Sequence, residues 1–339
     1  MDGDVTAEPV WPNHSVRIPV MLSHIVRGFH FGIVLSLSLL AAGWTVPVQA
    51  QVKLEHKIVE GRKTVTHTTM KSKQSLTLAG IQFNTDSDRF IISTAQTGKR
   101  DAQGKIRIEI TCDKLTATDK SHGLTGFTVS FDSDDPNKKA DNDAAAILEL
   151  HLQLLRAVAN SRPVWVCDQS CKVIAVEGLD KPAEEVWEEF RGDFDPDQAK
   201  KCANQKLEIL PTKPIKVGDI WTKTVDSPLG SGQILSITSR YKYLGEVKVG
   251  DKKYDKIIAK VTAVALSTAD VSKATLRVAN SNLNPVESAG EILFDRVAGE
   301  FHSTKGKIRV QGNVNFTTKG LPVSGAMDLT IENETVRQL

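Results

Sequence analysis

Along most of the chain, apolar and polar side chains alternate with a period of two, the pattern of a strand with one dry and one wet face. "QVKLEHKI" sets Val52, Leu54, His56 and Ile58 on one side and charges on the other. "KIRIEITC" repeats this with Ile106, Ile108, Ile110 and Cys112, and "GFTVSF" continues it. Turn signals at Glu60-Gly61 and Asp101-Ala102-Gln103-Gly104 separate the runs. After a proline-punctuated connector, "LPTKPIKVGDIW", long runs return: "GQILSITSRYKYLGEV", "YDKIIAKVTAVAL", "GEILFD", "GKIRVQGNVNF" and "VSGAMDLTIENETV". Ile308, Val310, Val314 and Phe316 share one face, as do Met327, Leu329 and Ile331.

The centre changes period. Between Asp141 and Asn160, Glu149, Gln153, Arg156 and Asn160 recur on one helical face, with Ile147, Leu150, Leu154, Ala157 and Val158 on the other. Leu148, Leu152 and Leu155 widen the apolar stripe, so the helix is expected to lie under the concave side of a sheet. A hairpin from Pro163 to Gly178 follows, then short helices with Asp180 and Asp195 as N-caps. At the second of these, Asp195-Pro196-Asp197-Gln198 combines a cap, proline at the first helical position and an N3 glutamine. The predicted fold is α+β and β-dominated: a curved antiparallel sheet, or two, half-barrel or sandwich-like, packed on a central apolar helix. Residues 51–339 read as one domain with a helical centre over 141–205, and two β-subdomains split near residue 210 are the alternative.

The N-terminus stands apart. An apolar core from Phe31 to Trp44 follows Arg27 and ends in Val48-Gln49-Ala50, the layout of a signal peptide cleaved between Ala50 and Gln51. The core is short for a bilayer span, and no cysteine follows it to carry a lipid. Asp2, Asp4 and Glu8 precede it where positive charge is expected, which makes Met21 a candidate true start. Residues 1–50 are therefore read as removed. The mature chain is expected in the periplasm or outside the cell, without an integral membrane span.

Composition narrows the function classes only a little. The 339 residues are 40% hydrophobic and 25% charged, with a net charge of +2, so no strong field points to nucleic acid. Export gives the four cysteines meaning, since an oxidising compartment permits disulfides. Cys167 and Cys171 flank a three-residue turn and are expected to face each other as a candidate disulfide. Cys112 reads as a buried thiol, and Cys202 lies on a helix.

Two features invite a chemical reading. "FDSDDPNKKADND" is rich in aspartate, but Pro136 and Asn137 fall where a calcium loop needs a ligand and a glycine. It reads as a polar loop whose Asp141 or Asp143 caps the following helix. His151 projects from the apolar face of that helix. It reads as a hydrogen-bonded core histidine, as does His56, and with Ile147, Leu154 and Val158 it is a candidate lining for a ligand cavity. The chain lacks GxSxG, HExxH, a P-loop and a strand-linked GxGxxG, so no catalytic residue, metal or cofactor is assigned.

Four segments, "FDSDDP", "VCDQSCKVIAVEGLD", "LPTKPIKVGDIWTKT" and "GEILFDRVAGEF", together resemble an uncharacterised family of exported bacterial proteins. The resemblance covers most of residues 51–339 and implies a shared fold and export, with no activity attached. That family usually carries glycine where this chain has Cys171. Two functions are carried forward: a non-enzymatic module for an apolar small molecule, and a structural or interaction protein with an envelope protein as partner. An unrecognised hydrolase stands third. The space around His151 discriminates: a polar cavity favours catalysis, an apolar one carriage, and tight packing a structural part.

Overall fold

The computed structural model describes residues 51–122, 126–136, 145–179, 194–228, 233–268, 277–318 and 320–338. The expected signal peptide with Ala50, the caps Asp141, Asp143 and Asp180, and the side chain of Ile147 lie outside the described residues. The strands are β1 (Lys63–Leu78), β2 (Ile81–Arg100), β3 (Ile106–His122), β4 (Phe127–Asp132), β5 (Val164–Cys167) and β6 (Val173–Glu177), then β7 (Ile220–Pro228), β8 (Gln233–Val249), β9 (Lys252–Thr268), β10 (Arg277–Asp295), β11 (Glu300–Thr318) and β12 (Leu321–Gln338). Helix α1 is Ala145–Asn160 and α2 is Pro196–Leu207.

All twelve strands join one antiparallel sheet in the order β6-β5-β3-β2-β1-β12-β11-β10-β9-β8-β7, with β4 pairing on β3. Two meanders are thus stitched through β1 and β12, which pair from Val65↔Gln338 to Leu78↔Gly325. Eight of the strands, β1 to β3 and β8 to β12, run 16 to 20 residues, or about 50–65 Å at a strand's rise. The path does not close into a ring, because β6 and β7 do not pair. It nevertheless folds back on itself. Phe83 of β2 and Leu235 of β8, six places apart in the sheet, belong to one buried cluster with Leu76, Val264, Val310 and Phe316.

Bulges explain how long alternating runs stay buried on one side. In β3, Ile106, Ile108 and Ile110 share a face as expected, but the pairing slips at Asp113, between Ser93↔Cys112 and Ile92↔Lys114. The extra residue inverts the alternation, so Leu115, Ala117, Asp119 and Ser121 point inward beyond it. A tighter constraint acts at Gly312, whose φ is +156° and where a Cβ would sit 1.9 Å from the Asn282 carbonyl oxygen. The segment predicted as a first strand is not one. Residues 51–58 keep the alternation, with Leu54 buried, but only Val52 bridges, to Ile215.

The helices occupy different places. Among the described side chains of α1, His151, Leu152, Leu154 and Leu155 are buried, while Val158 is 38% exposed. Leu152 and Leu155 pack on Leu115, Ala117, Val129 and Phe131 of β3 and β4. Of the expected apolar stripe, Leu152, Leu154 and Leu155 are thus buried and Val158 is not, and the sheet meets the helix along its 152–155–159 ridge. Helix α2 starts as its sequence dictates: Asp195 accepts from the Gln198 amide at 2.9 Å and Pro196 takes the first position. It lies against both β6 and β7, across the gap where the sheet fails to close.

Candidate functional site

The most concentrated buried polar group sits where α1 meets the sheet. Asp119, on the inward face of β3, receives the Arg89 guanidinium at 3.0 and 3.2 Å from β2. The Ser87 hydroxyl donates to the same carboxylate, and His151 Nε2 lies 2.6 Å from its Oδ2. Arg89, Asp119 and His151 are all at least nine-tenths buried, so each charge depends on the others for compensation. The inverted alternation after Asp113 is what turns Asp119 inward.

This geometry answers the question raised by His151. His151 is buried against a carboxylate, and the cavity beside its partner Asp119 measures about 10 Å³, room for roughly one water. It is lined by Thr85, Ser87, Ser121 and Phe127, among others, and the described side chains of His151, Leu154 and Val158 are not part of that lining. His151 itself is a buried, hydrogen-bonded core histidine. A serine, an aspartate and a histidine meet here without forming a nucleophile–base pair, because Ser87 gives its proton to Asp119 instead of to His151.

A larger cavity, about 470 Å³, opens at the seam spanned by α2. Leu54, Leu207, Leu210 and Pro211 give it an apolar side, and Lys172 and Lys223 a charged one. Side chains hold the seam together in place of a strand ladder. Asn204 of α2 accepts from the Val173 amide at 2.9 Å and donates to its carbonyl at 2.8 Å, a two-way pairing with β6. On the other side, Lys201 lies 3.3 Å from Asp226 of β7, and Trp221 Nε1 donates to the Ile209 carbonyl at 2.7 Å.

His56 lines this cavity and packs edge-on against Phe294 and Phe301. Burial drives its pKa down to about 4; the carbonyls of Gly299 and Leu207 oppose that only in part, and Nε2 has no partner at hydrogen-bond geometry. Nearby, Cys167 pairs with Val173, whereas Cys171 stands in the turn with φ of +65° and its thiol donates to the His56 carbonyl at 3.5 Å. The two cysteines are therefore not opposite one another, and the expected disulfide is not formed: both are free thiols. The register is the physical reason: Cys167 faces Val173, which leaves Cys171 inside the turn. Burial raises the Cys167 thiol to about 11.

The aspartate loop carries its own cation. Lys114 Nζ lies 2.6 Å from Asp132 and also contacts Asp134, and its ammonium, more than any other group, lowers the Asp132 pKa. An ammonium already stands where a calcium loop would need the ion. A second network escaped the sequence reading: Asp255, buried in β9, accepts from Tyr243 at 2.6 Å and from Arg296 Nε at 2.8 Å. Burial first, then Asp255, raises the Tyr243 pKa. No local spacing signals it, since its members come from β8, β9 and the turn that follows β10.

No family model matches the chain, and no curated protein does. Among solved structures, lipovitellin is similar over 84% of this chain and 26% of its own, at 6% identity and a TM-score of 0.38, so the chain spans about a quarter of it. The outer membrane protein OprG from Pseudomonas aeruginosa is similar over 85% of this chain and 99% of its own, at 5% identity and a TM-score of 0.22. The translocator domain of the autotransporter NalP from Neisseria meningitidis is similar over 82% and 90%, at 6% identity and a TM-score of 0.18. At these scores the likenesses carry no argument about function; the chain is a β-dominated protein built on one large, unclosed antiparallel sheet.

Proposed function

We propose that this is an exported, non-enzymatic binding module that takes an apolar small molecule between the two leaves of its folded sheet. The observation that carries the reading is the open seam. In a closed barrel, access to the interior breaks a ladder of backbone hydrogen bonds. Here, among the described residues, β6 and β7 are linked through α2 and the Ile209 carbonyl just after it by the side chains of Asn204, Lys201 and Trp221, so the leaves can part without breaking a strand pair. The inner wall exposed by parting is apolar over Leu76, Phe83, Leu235, Leu266 and Phe316.

Native mass spectrometry after mild extraction, with titration of an apolar fluorescent probe, tests this. A co-purifying lipid or saturable probe binding is expected, weakened when α2 is cross-linked to both β6 and β7. No lipid and no probe binding refute the reading. One observation favours a second account. The inner cluster is filled by its own buried side chains. That suits an interaction protein of the cell envelope whose core never opens and whose surface meets a protein partner. A protein that binds no probe but is retained by one envelope component after chemical cross-linking supports that account.

A further inference from the structure

The inner wall is not uniformly apolar, and its polar part is left without partners. Strand register places Asn333, Met70, Arg89 and Ala117 side by side across β12, β1, β2 and β3. The next row is Ile331, Ser72, Ser87 and Asp119, and the one after it Leu329, Gln74, Thr85 and Ser121. Directly opposed residues share a face, so these three rows form one patch. Within it Ser72, Gln74, Thr85, Arg89 and Asn333 are each more than nine-tenths buried. Yet Ser72 Oγ, Gln74 Oε1, Thr85 Oγ1, Arg89 Nε and both amide atoms of Asn333 have no hydrogen-bond partner. Buried polar atoms in folded proteins are paired with few exceptions, and such a concentration on three adjacent strands calls for a cause.

We infer that this patch is the headgroup site for a neutral, hydroxyl-bearing amphiphile of the glycolipid or acylglycerol class, an inference that rests on the carrier reading above. Three features select that chemistry. Asn333 offers both a donor and an acceptor, Gln74 an acceptor and Arg89 Nε a donor, which matches hydroxyl groups able to serve as either. The charge of Arg89, the cation among the described residues of these three rows, is already met by Asp119, which disfavours selection of a phosphate. The adjoining row, Met327, Leu76 and Phe83, begins the apolar cluster that would receive the acyl part. The structure described here is the closed form. The cavity beside Thr85 and Asp119 is about 10 Å³, and α1, held to Asp119 through His151, covers the neighbouring wall.

The test compares the full-length mature protein with its Gln74→Leu, Asn333→Leu double variant. Three fluorescent probes are titrated: a labelled galactosyl diacylglycerol, a labelled phosphatidylglycerol, and a headgroup-free apolar dye. The wild type is expected to bind the galactolipid at least tenfold tighter than the phospholipid. The variant is expected to lose that preference, to keep the dye, and to unfold at a higher temperature, since the substitutions remove unpaired polar atoms. Equal binding of the two lipids by the wild type, a preference that survives in the variant, or a variant that melts lower than the wild type overturns the headgroup site. If none of the three probes binds the wild type, the carrier reading itself fails and this inference falls with it.

Discussion

Replacing His56 with phenylalanine should remove a specific acid sensitivity from the fold. His56 has an ordinary pKa of 6.5, and burial lowers it to about 4 in the folded chain. Between those values the unfolded chain binds a proton that the folded chain refuses. Stability is therefore intact above pH 6.5 and falls as the pH drops towards 4. With these two values, the cost at pH 4.5 relative to pH 7 is RT times the logarithm of the ratio of the two binding polynomials, about 2 kcal/mol. Phenylalanine keeps an aromatic ring beside Phe294 and Phe301 and does not titrate. Urea unfolding followed by tryptophan fluorescence at pH 7 and pH 4.5 measures the effect. Other titrating groups, such as Glu300 with its pKa raised by burial and Asp132 with its pKa lowered by Lys114, are common to both proteins and cancel in the difference. The wild type should lose about 2 kcal/mol more than His56→Phe on acidification. Equal losses would show that His56 is hydrated in the folded state, and the reasoning from its burial would be wrong.

The buried hub supplies a second prediction. Asp119→Ala leaves Arg89 uncompensated and should cost about 3–5 kcal/mol in denaturant unfolding, whereas the paired change Arg89→Met, Asp119→Leu should recover most of it. A single change that costs as little as the pair would show that Asp119 is not compensating a buried charge. At the hairpin turn, Cys171→Gly should stabilise by about 1 kcal/mol, because glycine carries no left-handed penalty at φ of +65°. A loss of stability would mean that the contact of the thiol with His56 outweighs that strain.

The chain's local chemistry determined a good deal. Period-two runs marked β3, β4, β8, β9, β11, β12 and the last residues of β10, the Asp195 cap and Pro196 fixed the start of α2, and Pro136 spoke against a calcium loop. These features are decided by neighbours within a few residues, so they can be read in order along the chain. Strand β1 was hidden because its inward residues include Thr68, Ser72 and Gln74, which carry no hydrophobic alternation. The turn of Asp119 inward depends on the pairing slip at Asp113, which exists only against β2. Tertiary structure alone brought Arg89, Asp119 and His151 together, set Cys171 in the turn away from Cys167, and left α2 in the gap between β6 and β7. Each of these rests on which strand lies beside which. That is settled by the pairing of β1 with β12, residues some 260 positions apart, such as Thr68 and Thr335, and no local pattern records it.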